Sequence, residues 1–210
     1  MSEGHDHPHT HPHPNQPDIE DQPFEYYQVM VEAVGELLID KGVFTAAELR
    51  KSIEQVDARS PADGARVVAR AWLDPAYKGR LLADANAAAA ELGIDAGAIP
   101  IQVVENTEDV HNVICCTLCS CYPRLLLGLP PDWYKARAYR SRIVREPRAV
   151  LEEFGTIIPD DVELRVHDST ADLRYMVLPK RPGGTDTLGE AELAALVTRD
   201  CMIGTAVVEA

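Results

Sequence analysis

The sequence predicts an α+β fold, with a helical part at the N-terminal end and mixed helices and strands after it. Three observations carry this. Apolar residues recur at helical spacing up to about residue 93, short strand-like apolar runs begin only near residue 99, and helical and extended patterns then share the rest of the chain. Three segments follow: a disordered His-rich tail over 1–22, a helical segment over 23–93, and a metal-binding α+β catalytic domain over 94–210.

The elements can be justified in order. Residues 1–22 alternate His5, His7, His9, His11 and His13 with Asp, Pro and Thr, a composition that cannot pack a core. Neutral imidazoles suit cobalt, nickel and zinc, so weak metal capture is the functional reading, and a solvated tail is the plain one. Tyr27, Val31, Val34, Leu37 and Leu38 then mark a first helix that Gly42 can close. Thr45-Ala46-Ala47-Glu48 is a capping-box pattern opening a second. A third spans Ala62 to Trp72, and Asp74-Pro75 opens a fourth through the alanine-rich stretch to Gly93. These helices either cover their own core or form an arm around a partner subunit.

Ile99 to Val104 reads as a strand, and Val113-Ile114-Cys115 as a second short apolar run. Residues 132–155 read as one helix stopped by Gly155. Val162 to Val166 alternates as a half-buried strand should, and Tyr175 to Leu178 is a strand ended by Pro179. A helix over Glu190 to Thr198 and a final strand over Met202 to Val208 complete the reading, which contains no internal repeat.

Composition limits the function. The 210 residues carry a formal net charge of −14, which makes nucleic acid and anionic membrane surfaces poor partners. No apolar run approaches the roughly 18 residues of a membrane span. Met1 to His5 has neither a basic nor an apolar leader pattern, so a cytoplasmic location is expected. Four of the five cysteines fall within seven residues, which points to metal or redox chemistry and away from a disulfide scaffold.

Cys116, Cys119 and Cys121 form the pattern C-x-x-C-x-C. A regular strand or helix cannot turn three such sulfurs to one side, but a compact loop can converge them on one ion. A tetrahedral zinc site would need a distant pair of ligands, and an iron–sulfur cluster a fourth thiolate; Cys201, His111 and His167 are each isolated. The loop must therefore complete the shell locally, from backbone. A deprotonated amide nitrogen suits only a highly charged ion, such as low-spin trivalent cobalt or iron.

The segment Val113 to Pro123 resembles the metal claw of nitrile hydratase α subunits. The resemblance continues through Leu127-Gly128-Leu129-Pro130-Pro131-Asp132-Trp133-Tyr134-Lys135 and Arg140 to Arg148. It returns at Val104 to Thr107, at His111-Asn112-Val113, at Val177-Leu178-Pro179, at Val197 to Asp200, and at Ile203-Gly204. Thiocyanate hydrolase γ subunits share the claw and much of its flank. The resemblance implies a layered α-β-β-α domain. It implies Cys116 as an unmodified thiolate, Cys119 as a sulfinate, Cys121 as a sulfenate, and amide nitrogen ligands from Ser120 and Cys121. Thr117 marks the cobalt type, so one Co3+ per subunit is expected rather than iron. Cys121 and Ser120 become the catalytic candidates, with the Cys121 sulfenate or a metal-bound hydroxide attacking a polarised nitrile. The family's β-type subunit, one chain or two, supplies arginines to the oxidised sulfurs, and a metallochaperone is a further candidate partner.

Two positions depart from the family pattern. Arg124 stands where Trp is usual, as it does in thiocyanate hydrolases, and Ala96 to Ile99 lacks the usual pocket Gln. A larger or more polar nitrile is then expected, such as a nucleoside nitrile of the toyocamycin type. The alternative is thiocyanate hydrolysis to carbonyl sulfide and ammonia, and a non-enzymatic metal-storage or interaction protein is the third reading. Arg140, Arg142 and Arg145 read as a structural or subunit-contact set, and Cys115 and Cys201 as small buried hydrophobes. His111 and His167 read as structural histidines, and Trp133 and Tyr134 as partner-facing.

Overall fold

The structure, a computed structural model, describes residues 26–210. The tail expected over 1–22, with its five histidines, lies outside the described residues. The chain divides into two compact units between Gln55 and Val56. The helices expected over 23–93 are thus shared between both.

The first unit holds α1 (Tyr26–Asp40) and most of α2 (Ala46–Asp57). Gly42 closes α1 in the left-handed region, at φ 67°. The capping box forms as expected: Thr45 N–H donates to Glu48 Oε2 at 2.7 Å and Glu48 N–H to Thr45 Oγ1 at 3.2 Å. Neither helix buries a residue.

The second unit opens with α3 (Ala62–Leu73), which turns Ala65, Val67, Val68 and Ala71 into the core. The single helix expected from Asp74 to Gly93 is two, α4 (Pro75–Ala83) and α5 (Ala85–Glu91). Asp84 breaks it. Its backbone is extended and its carboxylate accepts from Ala87 N–H at 2.9 Å, so the side chain caps α5 instead of continuing α4.

Two small parallel sheets follow. β1 (Ile101–Glu105) pairs with β4 (Arg174–Leu178), and β2 (Val110–Cys115) with β3 (Glu163–Asp168). Strand β2 begins three residues earlier than its apolar run. Between the sheets' strands lie α6 (Arg124–Leu127), α7 (Asp132–Lys135), α8 (Arg137–Arg142) and α9 (Pro147–Glu153). The sequence reading missed α6 and ran the other three together. Ala136 takes an extended conformation, and Pro147 forces Glu146 out of the helical region, so the expected helix breaks twice. Gly155 stops α9 as expected, at φ 84°.

Helix α10 (Glu190–Leu196) confirms the last helix. The final strand expected over Met202 to Val208 is absent, because Thr198 caps a further helix, α11 (Arg199–Ile203), by accepting from Cys201 N–H at 3.3 Å. Gly204 ends α11 at φ 92°, and a Cβ there would stand 2.1 Å from Asn112 O. Val113, Ile114, Leu126, Leu127, Met176, Val177 and Met202 sit at the centre of the core. The architecture is α+β.

A buried polar network fixes β2 in this core. Asn106 Oδ1 accepts from Asn112 N–H and Nδ2 at 2.7 and 3.0 Å, while Asn112 Nδ2 also donates to Glu105 O at 2.8 Å. His111 bonds Gly204 O through Nε2 at 2.7 Å and Asn106 Nδ2 through Nδ1 at 3.2 Å. His167 Nε2 reaches Asn112 Oδ1 at 2.8 Å. Both histidines are structural, as the sequence suggested.

Candidate metal centre

Strand β2 carries the chain through the core and delivers it to a loop. Cys115, its last residue, is fully buried, and burial pushes its thiol up to about 12. It behaves as a small hydrophobe, as does Cys201. The next six residues, Cys116 to Cys121, have no regular secondary structure. That freedom lets three side chains converge. The sulfurs of Cys116, Cys119 and Cys121 all lie within 4.8 Å of one another. Cys116 Sγ is 3.5 Å from Cys119 Sγ, which is 3.2 Å from Cys121 Sγ. Cys116 is buried, Cys121 half-buried and Cys119 exposed, so the cluster opens outward.

The electrostatics fit a cation. Contacts from the Cys121 and Cys116 sulfurs, with weaker help from the Ser120 and Cys121 backbone N–H groups, hold the Cys119 thiol below its ordinary range. Burial, followed by contacts from the Cys119 and Cys116 sulfurs, pushes Cys121 up to about 12. Three thiolates this close repel one another strongly, and a multivalent ion is what would let all three ionise together. Soft sulfur donors select cobalt, iron, copper or zinc over hard ions such as magnesium.

Several residues that the sequence reading gave no site role hold the loop. Asp168, at the end of β3, accepts from Thr117 N–H at 2.9 Å and from Thr117 Oγ1 at 2.5 Å. Arg140 Nη1 donates to Thr117 O at 3.3 Å. Tyr134 Oη donates to Cys121 O at 2.9 Å, and Tyr139 Oη to Ile114 O at 2.7 Å. Tyr134 is fully buried among Trp133, Tyr122 and Tyr139, so its expected partner-facing role is corrected: it packs in the core, behind the loop. Arg142 pairs with Glu146 and Glu153, and Arg145 donates to Ser141 O, which fits their structural reading.

A cavity of about 550 Å³ opens beside the sulfurs. Cys119, Ser120, Cys121 and Tyr122 form one wall, and Gly97, Ile99, Leu125 and Leu129 add apolar surface. Arg59, Arg124 and Arg174 also line it. Arg124, which the sequence marked as the departure beyond the claw, thus stands at the same cavity as the sulfurs.

An α+β domain whose core strand ends in a loop of three clustered cysteines defines a metal-binding protein of the cysteine-claw class. The sequence model of the family described as "Nitrile hydratase, alpha chain" matches residues 25–206. The chain is 51% identical over 180 residues to the low-molecular weight cobalt-containing nitrile hydratase subunit alpha of Rhodococcus rhodochrous, covering 84% of this chain and 86% of that one. It is 42% identical over 193 residues to the thiocyanate hydrolase subunit gamma of Thiobacillus thioparus, with coverages of 86% and 79%. Among solved structures, a double mutant of the Fe-type nitrile hydratase from Comamonas testosteroni Ni1 superposes with a TM-score of 0.80 at 44% identity, covering 88% and 91% of the two chains. The chain belongs to the nitrile hydratase α-chain family.

Proposed function

We propose that this chain is the metal-bearing subunit of a cobalt nitrile hydratase, which adds water to a nitrile to give the amide. The observation that carries the reading is the convergence of the Cys116, Cys119 and Cys121 sulfurs within 4.8 Å, beside a cavity that Cys119 and Cys121 line. These three sulfurs, with the amide nitrogens of Ser120 and Cys121, hold the ion, one cobalt(III) per subunit. Bound there, the ion would supply Lewis-acid polarisation of the nitrile. Cobalt over iron is supported by Thr117 and by the cobalt-containing relative at 51% identity.

The chain's own groups do the remaining work. Cys116 anchors the ion from the buried side. Asp168, Arg140 and Tyr134 hold the loop backbone in place through Thr117 and Cys121. Cys119 is a sulfinate and Cys121 a sulfenate, states that weaken sulfur donation and add oxygen acceptors. Cys121 and Ser120 line the cavity where the nitrile carbon is attacked. A β-type subunit closes this face and supplies arginines to the sulfur oxygens. The complex works in the cytoplasm, with a metallochaperone as a candidate for loading.

The substrate is read as bulky or polar, up to a nucleoside nitrile, because Arg124 stands where a Trp is usual and the stretch Ala96 to Ile99, on the same cavity wall, lacks the usual Gln. A second reading, thiocyanate hydrolysis, is favoured by the three arginines around the cavity, which suit an anion. The test is to purify the chain with its partner and cobalt, and to assay amide formation from aliphatic, aromatic and nucleoside nitriles beside thiocyanate. Amide formation supports the hydratase. Carbonyl sulfide and ammonia from thiocyanate, with no nitrile hydrated, replaces it with the second reading.

A further inference from the structure

Arg174 heads strand β4, where its backbone N–H donates to Pro100 O at 2.9 Å and its register partner is Ile101. Its backbone is therefore fixed at the edge of the core. Its side chain lines the cavity that Cys119, Ser120 and Cys121 also line. Unlike Arg59 and Arg124, which are exposed, Arg174 is half-buried. Its Nη1 is buried and has no hydrogen-bond partner.

A guanidinium nitrogen stripped of water and left without an acceptor is costly, and folded proteins keep such a group where an anion completes it. Among the groups on the same cavity wall, the claw sulfurs are those that become anionic when a metal is held. Of the two claw sulfurs that line this cavity, Cys119 is exposed and open to water while Cys121 is half-buried, so Cys121 has the greater need of a donor from within the chain.

We infer that Arg174 is a positioning residue of the metal centre, whose guanidinium donates to the negatively charged sulfur group of Cys121 from within this chain. This rests on the claw reading above. It makes the charge of the Cys121 side of the claw partly a property of this chain, in addition to what the partner subunit contributes. Arginine suits the task because its planar fork offers more than one donor to a sulfur oxygen in a fixed direction.

The test uses the cobalt-loaded complex with its partner subunit. Wild type, Arg174→Gln and Arg174→Lys are compared by the visible sulfur-to-cobalt absorption band, cobalt per claw, and oxygen added to the cysteines by mass. Loss of the cation should displace the band and lower cobalt occupancy or cysteine oxygenation, with kcat falling roughly 10-fold or more and KM changing less. The Lys variant keeps the charge but not the fork, and its band should lie between the other two. A Gln variant with the wild-type band and oxygen count overturns the inference. Should the Gln variant not assemble, a Lys variant with both wild-type band and wild-type occupancy overturns it by itself. A wild-type complex that takes up no cobalt refutes the claw reading instead, so the two failures are distinguishable.

Discussion

At the residue scale, the claw depends on a carboxylate that is not a ligand. Asp168 holds both the amide and the hydroxyl of Thr117, one residue after the buried Cys116. Replacing Asp168 with Ala removes both acceptors and leaves the Thr117 amide and hydroxyl without them. We expect roughly 10-fold or greater loss of cobalt affinity or activity, with the fold intact by circular dichroism. Replacing Cys116, Cys119 or Cys121 with Ala should abolish cobalt binding; a variant retaining a full equivalent refutes the ligand set. The cysteines were legible because their spacing sits within a few residues of sequence. Asp168 and Arg174 were not, because each comes from another strand: the β2–β3 pairing brings Asp168 to the loop, and the β1–β4 pairing brings Arg174 to the cavity beside it.

Histidine 111 carries a pH prediction at the same scale. Burial holds its pKa below the ordinary 6.5, against the raising effect of its bond to Gly204 O. The geometry agrees: Nε2–H donates to Gly204 O, while Nδ1 accepts from Asn106 Nδ2, leaving no room for a second proton. His167 is lowered too, by burial and then by Arg165. With native pKa values below the unfolded one, the unfolded chain binds more protons at low pH. Stability is therefore full above about 6.5 and is lost as pH falls through that value towards the native pKa. Urea midpoints measured from pH 7.5 to 5 should fall, and His111→Gln should flatten part of that fall. An unchanged slope in the variant would remove His111 from the account.

At the element scale, strong local signals were read correctly and broken helices were not. The Thr45 capping box and the stop at Gly155 follow from neighbouring residues alone. The break at Asp84 turns on whether one Asp continues a helix or caps the next, and apolar spacing does not distinguish these. Asp84→Ala removes the cap from Ala87 N–H and should cost about 1 kcal/mol by chemical denaturation. The end of α11 is more demanding. Residues 202–208 alternate well enough to suggest a strand, yet Thr198 starts a helix and Gly204 ends it against Asn112. Gly204→Ala must clear a 2.1 Å approach to a backbone oxygen at φ 92°, in the segment that also receives His111. We expect a loss of more than about 2 kcal/mol, read from the unfolding midpoint.

At the scale of the whole molecule, the charge and the apolar surface are divided in a way that bears on assembly. The chain carries a net charge of −14, which should keep a fully folded monomer apart from its copies. Yet α1 buries nothing, and it leaves Tyr26, Tyr27, Val29, Val31 and Leu37 more than half exposed. Leu118, at the tip of the claw loop, is 88% exposed. Apolar surface of this extent suits contact with another protein. A partner subunit that covers both places would explain why the helix has no core of its own and why the claw opens outward. Expressed without its partner, the chain should bind a hydrophobic dye and elute as mixed oligomers on gel filtration. Expressed with it, both signs should disappear and a heteromer of fixed stoichiometry should form, with about 48 Da of oxygen on the claw peptide for one sulfinate and one sulfenate. Replacing Val31 and Leu37 with Ser should weaken that heteromer at least 10-fold while leaving the core of residues 56–210 folded, since none of its buried residues lies on α1. A monodisperse chain with no dye binding in the absence of any partner would mean that α1 is covered from within the molecule.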